Sequence, residues 1–182
     1  MRNQKIRMMI EMAVAVAIAL ILNKLVLFHM PQGGSVNLEM LPIIFIALRW
    51  GVGAGFLTGA AHGLLQMIFG AYIVHPVQLI LDYPLPFALL GLAGLFKTQL
   101  DGDKGAINII LGTVIGVFGR FLSHLISGVV FFGEYAPEGQ NVWVYSAIYN
   151  ASYIIPSLLI SLVILLLARK QLAKINPVEV SE

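Results

Sequence analysis

The sequence predicts an all-α protein, a bundle of six transmembrane helices forming one membrane domain over residues 1–182, with both termini cytoplasmic. Three observations predict it. Of the 182 residues 59% are apolar and only 11% charged, with a mean hydropathy of +0.89. An ordinary soluble domain is roughly a quarter charged, so too few charges exist here to cover a water-facing exterior. The apolar residues also fall into six blocks, which consume nearly the whole chain at roughly 20 residues per spanning helix. Finally, the basic residues are distributed unequally between the ends of those blocks.

The first block covers 7–28 and stops before Pro31-Gln32-Gly33-Gly34. Its long apolar core, followed by Lys24 and no small-residue cleavage site, reads as a retained helix rather than a cleavable signal. The second block, 38–50, carries Pro42 near its start and is too short to cross about 30 Å of hydrocarbon unaided. It is expected to continue through a bend or to pack inside the bundle. The third, 51–69, is studded with Gly51, Gly53, Gly55, Gly59 and Gly63. The fourth, 77–96, contains Pro84 and Pro86; the fifth and sixth cover 106–132 and 142–169. The tail after Ala173 is expected to be short and loose.

If all six blocks span, Arg2, Lys5, Arg7, Arg49, Lys97, Lys104, Arg169, Lys170 and Lys174 fall on one side. That side holds nine of the eleven basic residues, the other only Lys24, while Arg120 lies within the fifth block. The positive-inside rule makes the basic side cytoplasmic. The loops around 30–37, 72–76 and 133–141 then face outward. Orientation accounts for the small basic excess, and nucleic-acid binding is not called for. With no cysteine in the chain, disulfides, thiolate metal sites and thiol nucleophiles are excluded. No Walker A pattern, His-Glu-x-x-His or Gly-x-Ser-x-Gly occurs, so no engine for pumping is recognisable and no metal or catalytic residue is assigned. No internal repeat of the kind common in secondary transporters is visible.

Ionisable residues at membrane depth cost about 2.5 to 3.5 kcal/mol on insertion scales, which makes them the leading functional candidates. Asp82 follows Gln78-Leu79-Ile80-Leu81 in the outer part of the fourth block, two residues before Pro84. It either makes a structural pair, with Arg120 or a backbone donor, or faces a cavity whose ligand is cationic or rich in hydrogen-bond donors. The following proline frees backbone groups and bends the helix, which suits a cavity wall. Arg120 and His124 lie one turn apart on the fifth block. His124 is a ligand candidate, whereas Arg120, deeper toward the cytoplasm, reads as structural or as part of a docking surface. Tyr145, Ser146, Tyr149, Asn150, Ser152 and Tyr153 gather in the outer half of the sixth block. His62 and Gln66 share a face of the third and read as helix-packing polar groups.

Aromatic residues collect at the same depth: Tyr72, Tyr83, Phe131, Phe132, Tyr135 and Trp143 join the tyrosines of the sixth block. An interfacial belt explains part of this set. It does not explain why a carboxylate, an imidazole and an amide accompany the rings. Together they suit a planar, positively charged heteroaromatic solute held by stacking and cation–π contacts. In the first block Ala13 and Ala17, and likewise Ala15 and Ala19, are spaced to let another helix approach closely.

Several strings carry a resemblance. They are Met30-Pro31-Gln32-Gly33-Gly34-Ser35-Val36, then His75-Pro76-Val77-Gln78 leading to Asp82-Tyr83, then Ser123-His124-Leu125-Ile126-Ser127-Gly128 with Phe131-Phe132-Gly133. Trp143-Val144-Tyr145 with Tyr149-Asn150-Ala151 completes the set. In these the chain resembles, over nearly its full length, the ThiT family of thiamin-specific substrate-binding (S) components of energy-coupling-factor vitamin transporters. The resemblance implies a multi-pass protein of the prokaryotic plasma membrane that binds thiamin, without a cofactor, in an outward-side pocket. It also implies a transmembrane coupling subunit and two ATPase subunits as partners. On this resemblance the pocket residues are Asp82, Tyr83, His124, Gly128, Tyr145, Asn150 and Tyr72, with Phe132 as the stacking ring. Ala13, Ala15, Ala17 and Ala19 match the docking surface for the coupling subunit. Some members carry glutamate where this chain has Asp82, and some stack the ligand on tryptophan where it has Phe132.

Other readings stay open on the residues alone: an S component for another vitamin or a thiamin precursor, an autonomous secondary transporter, or an intramembrane enzyme using Asp82 and His124 as an acid–base pair.

Overall fold

The computed structural model describes residues 2–31, 33–97 and 104–174. Gln32 and the tail from residue 175 onward, including most of the stretch expected to be loose, lie outside the described residues. The chain order is α1 Arg2–Lys24, a hairpin of β1 Phe28–His29 and β2 Ser35–Val36, α2 Met40–Trp50, α3 Val52–Ile68, α4 Pro76–Asp82 and α5 Pro84–Leu89. A 3-10 segment, Leu90–Phe96, leads to α6 Gly105–Phe131, and a 3-10 turn, Gly133–Tyr135, leads to α7 Val142–Lys174.

The expected all-helical class holds, and all six apolar blocks form helices, with one addition and one break. The first block ends at Lys24, four residues early, because the chain turns into a hairpin pairing Phe28 with Val36 and His29 with Ser35. Gly33 makes the turn possible, since its φ of +96° lies where a side chain is strained. The fourth block is not one helix. Pro84 has no N–H to continue the hydrogen-bond ladder, and its ring disfavours helical geometry at Tyr83. Tyr83 accordingly sits at φ −118°, ψ −81°, so α4 stops at Asp82 and α5 starts afresh.

Among the described residues four stretches are long and apolar enough to cross a membrane: Asn3–Lys24, Pro76–Phe96, Gly105–Phe131 and Val142–Leu172. Several such helices in one chain make a multi-pass membrane protein. The 11-residue α2 and the 17-residue α3 extend about 16 and 25 Å at about 1.5 Å per residue, short of a bilayer core of about 30 Å. α2 packs inside the bundle: Ile43, Ile44, Ala47 and Leu48 are fully buried. Gly51, at φ +96°, ends it with its N–H on the Ala47 carbonyl and lets α3 begin at the next residue.

The glycines of α3 make close packing possible. Gly55, Gly59 and Gly63 recur every four residues and share one face. A Cβ at Gly59 would strike the Phe87 carbonyl and one at Gly63 the Tyr83 carbonyl. α3 therefore lies directly against the broken segment, backbone on backbone. From the other side Gly112, Gly116 and Gly119 of α6 close on residues 89–96. One end of the bundle is thus tightly packed, while at the other the three connections that the sequence places outside surround an open space.

Candidate functional site

At that end of the bundle lies a cavity of about 580 Å³. The hairpin contributes Gly33, Gly34 and Ser35 to its wall, and the α3–α4 connection contributes Gly70 and Tyr72. Asp82 and Tyr83 come from the break between α4 and α5, and Arg120, His124, Gly128 and Phe132 from α6 and its end. Tyr145, Ser146, Tyr149, Asn150 and Tyr153 line it from α7. All eight ligand-binding candidates named from the sequence therefore lie on one cavity.

Asp82 stands on the wall with its side chain 18% exposed. Its Oδ2 accepts a hydrogen bond from Gln78 Nε2 at 2.7 Å, and its Oδ1 meets His124 Nδ1 at 3.4 Å. The pairing of Asp82 with Arg120, one of the two readings above, is not what the structure holds. Arg120 Nη2 donates instead to Glu39 Oε1 at 2.9 Å, and its guanidinium lies 4.5 Å over the Phe87 ring. Arg120 is 6% exposed and lines the cavity floor, so it offers no docking surface.

Glu39 is the residue that sequence reasoning missed. It stands one residue before α2, 3% exposed, and gathers donors from three helices. Oε2 receives Asn23 Nδ2 at 2.7 Å and Gln66 Nε2 at 2.6 Å and lies 3.4 Å from His62 Nε2, while Oε1 takes Arg120. His62 and Gln66 are therefore partners of a buried carboxylate rather than generic packing groups. The available signal was an acidic residue at the second position of the 38–50 block. At a block boundary such a charge reads as interfacial.

The rings form the walls. Phe132 is flanked by Tyr72 at 6.2 Å and Tyr135 at 6.3 Å between centroids, and Tyr149 packs against Tyr145 at 6.2 Å and Tyr153 at 5.9 Å. A hydrogen bond with Tyr72 pushes the Tyr135 phenol above its ordinary value. Tyr83 Oη accepts the Tyr72 N–H at 2.8 Å, which fixes the rim. Asn150 is 5% exposed and heavily engaged: Nδ2 donates to the Ser146 carbonyl at 2.9 Å, and Oδ1 accepts from the Tyr153 hydroxyl at 2.6 Å. Gly128 lets α6 close on α7, for a Cβ there would strike Ser146 Oγ. The hairpin is tied down as well. Gly34 N–H donates to Tyr149 Oη at 3.2 Å, and a Cβ at Gly34 would lie 2.6 Å from the Tyr153 ring.

The alanines of α1 divide by face. Ala15 and Ala19 are 5% and 0% exposed, packed within this chain, and cannot meet a partner. Ala13 and Ala17 are exposed. No cluster of three or more His, Cys, Asp or Glu suited to a metal occurs among the described residues.

A cavity of this size, lined by two carboxylates and by flat rings, can take a planar cation that donates hydrogen bonds. The comparisons with known proteins point the same way. Residues 9–176 match the family model described as Thiamine transporter protein (Thia_YuaJ). Thiamine transporter ThiT of Bacillus subtilis (strain 168) is 42% identical over 176 residues, covering 91% of this chain and 92% of that protein. Thiamine transporter ThiT of Lacticaseibacillus paracasei is 33% identical over 174 residues, covering 90% and 87%. The solved structure of ThiT from Listeria monocytogenes superposes with a TM-score of 0.86 at 28% identity, covering 94% of this chain and 99% of that one.

Proposed function

The chain belongs to the thiamine transporter protein family, and from that premise we propose that it is the high-affinity thiamin-binding subunit of an energy-coupling-factor importer of the plasma membrane. The whole chain, 1–182, acts as one membrane domain with six spanning segments and both termini cytoplasmic. Thiamin enters from outside, and the hairpin carrying Gly33 and Gly34 closes over it.

The observation that carries this reading is Asp82, a carboxylate on the cavity wall whose polar partners among the described residues are one amide and a distant imidazole. Each carboxylate oxygen keeps acceptor capacity beyond its one contact, and the amino and charged groups of thiamin are suited to take it up. Phe132 and the tyrosines meet the ring faces, and Tyr145 and Asn150 add directional polar contacts. Because the hydrogen-bonding atoms of Asn150 are already engaged, its role is first to hold Tyr153 and α6 in place. The chain binds and does not catalyse. ATP is hydrolysed by two partner ATPases, and a transmembrane coupling subunit docks on the exposed Ala13–Ala17 face of α1.

Calorimetric titration of the purified protein with thiamin tests the reading. Saturable one-to-one binding that excess riboflavin or pyridoxine does not displace is the expected result. No heat with thiamin, from protein shown to be free of co-purified ligand, would overturn it.

A further inference from the structure

Gln78 is a buried polar residue at the cavity end of the bundle, next to Asp82. It is 1% exposed, and its amide makes three hydrogen bonds that tie two pieces of the cavity together. Oε1 accepts the Val74 N–H at 3.1 Å. Only the carbonyl oxygen can accept there, so the amide orientation is settled by chemistry. Nε2 must then donate, and it does so twice: to the Tyr72 carbonyl at 3.1 Å and to Asp82 Oδ2 at 2.7 Å. One side chain thus holds the backbone beneath the rim tyrosine at one end and the wall carboxylate at the other.

Two consequences follow from an amide so engaged. Tyr72 and Asp82 are fixed relative to each other across the gap between the α3–α4 connection and the end of α4. And Oδ2 of Asp82, always receiving a hydrogen from Gln78, stays an acceptor. His124 Nδ1 lies at the other oxygen, so a hydrogen on that imidazole nitrogen would make Oδ1 an acceptor too. A ligand can then meet Asp82 only with N–H or O–H donors; a group presenting its own lone pair finds no donor there.

We propose that Gln78 is a positioning and specificity-determining residue, which orients Asp82 so that the cavity selects the amino form of the ligand's pyrimidine over a form bearing an acceptor at that place. This deepens the thiamin reading and rests on it. In the thiamin reading Asp82 faces the aminopyrimidine, so the 4-oxo analogue of thiamin, with oxygen in place of the amino group, is the discriminating probe.

The test is titration of thiamin and of the 4-oxo analogue into wild type, Gln78→Met and Gln78→Glu, each checked for intact melting. Methionine keeps the length and loses every hydrogen bond, whereas glutamate keeps the acceptor for Val74 and loses the donor to Asp82. In either variant that folds, thiamin is expected to weaken about tenfold and the analogue less than about threefold, so preference for the amino form narrows. Equal weakening of both ligands would show a merely structural role and overturn the inference. So would unchanged thiamin affinity, or a wild type that binds thiamin no better than the analogue. A wild type that binds neither ligand would instead overturn the functional reading on which the inference stands.

Discussion

Two carboxylates line this cavity, and their surroundings are opposite. Glu39, on the floor, is met by side chains from α1, α3 and α6, including the Arg120 guanidinium, and is 3% exposed. Asp82, on the wall, receives one amide hydrogen and a long imidazole contact, with its side chain 18% exposed. A saturated carboxylate has nothing left to offer a ligand and acts as a pin joining helices. An under-saturated one keeps lone pairs for what enters. Neither the type of residue nor its presence on the cavity distinguishes the two; the count of donors already in place does.

The contrast breaks most visibly at Glu39. Glu39→Ala leaves Arg120 buried without its carboxylate, and removing one partner of a buried pair costs about 3 to 5 kcal/mol. Thermal unfolding in detergent is expected to show a greatly lowered midpoint, and a near wild-type midpoint would remove the pin. Next in size, Asp82→Ala should weaken thiamin by about 1 to 3 kcal/mol, read by calorimetry, because the ligand's donors then face an unmatched cavity. Unchanged affinity would take Asp82 out of the pocket. The smallest effect sharpens the aromatic side of the comparison. Phe132→Trp provides a stronger cation–π surface and should tighten thiamin by about 0.5 to 1 kcal/mol; weaker binding would place the cationic ring away from residue 132.

Asp82 was legible in the sequence because a charge inside an apolar run stands out, and Glu39 was not because it sits where such a run begins. The same physics separates the other successes from the misses. Long apolar runs betray their helices, so α6 and α7 appear close to where they were expected. Pro84 signalled a bend and accounts for the break at Tyr83, but the packing of α3 on that break, with Gly59 and Gly63 against the Phe87 and Tyr83 carbonyls, is a tertiary contact that no local pattern announces. The hairpin rests on four residues in strand, too few for an alternating pattern to register. Four-residue spacing marked both alanine pairs of α1 alike. Only packing on α2 and α3 decides that Ala15 and Ala19 turn inward while Ala13 and Ala17 remain outside.

Thermal unfolding of Asp82→Ala, with and without saturating thiamin, tests the division of labour between the two carboxylates most directly. The expected result is a ligand-free midpoint close to wild type, together with loss of most of the upward shift that thiamin gives the wild-type protein. A ligand-free midpoint as depressed as that of Glu39→Ala, or a thiamin shift of wild-type size, would contradict it.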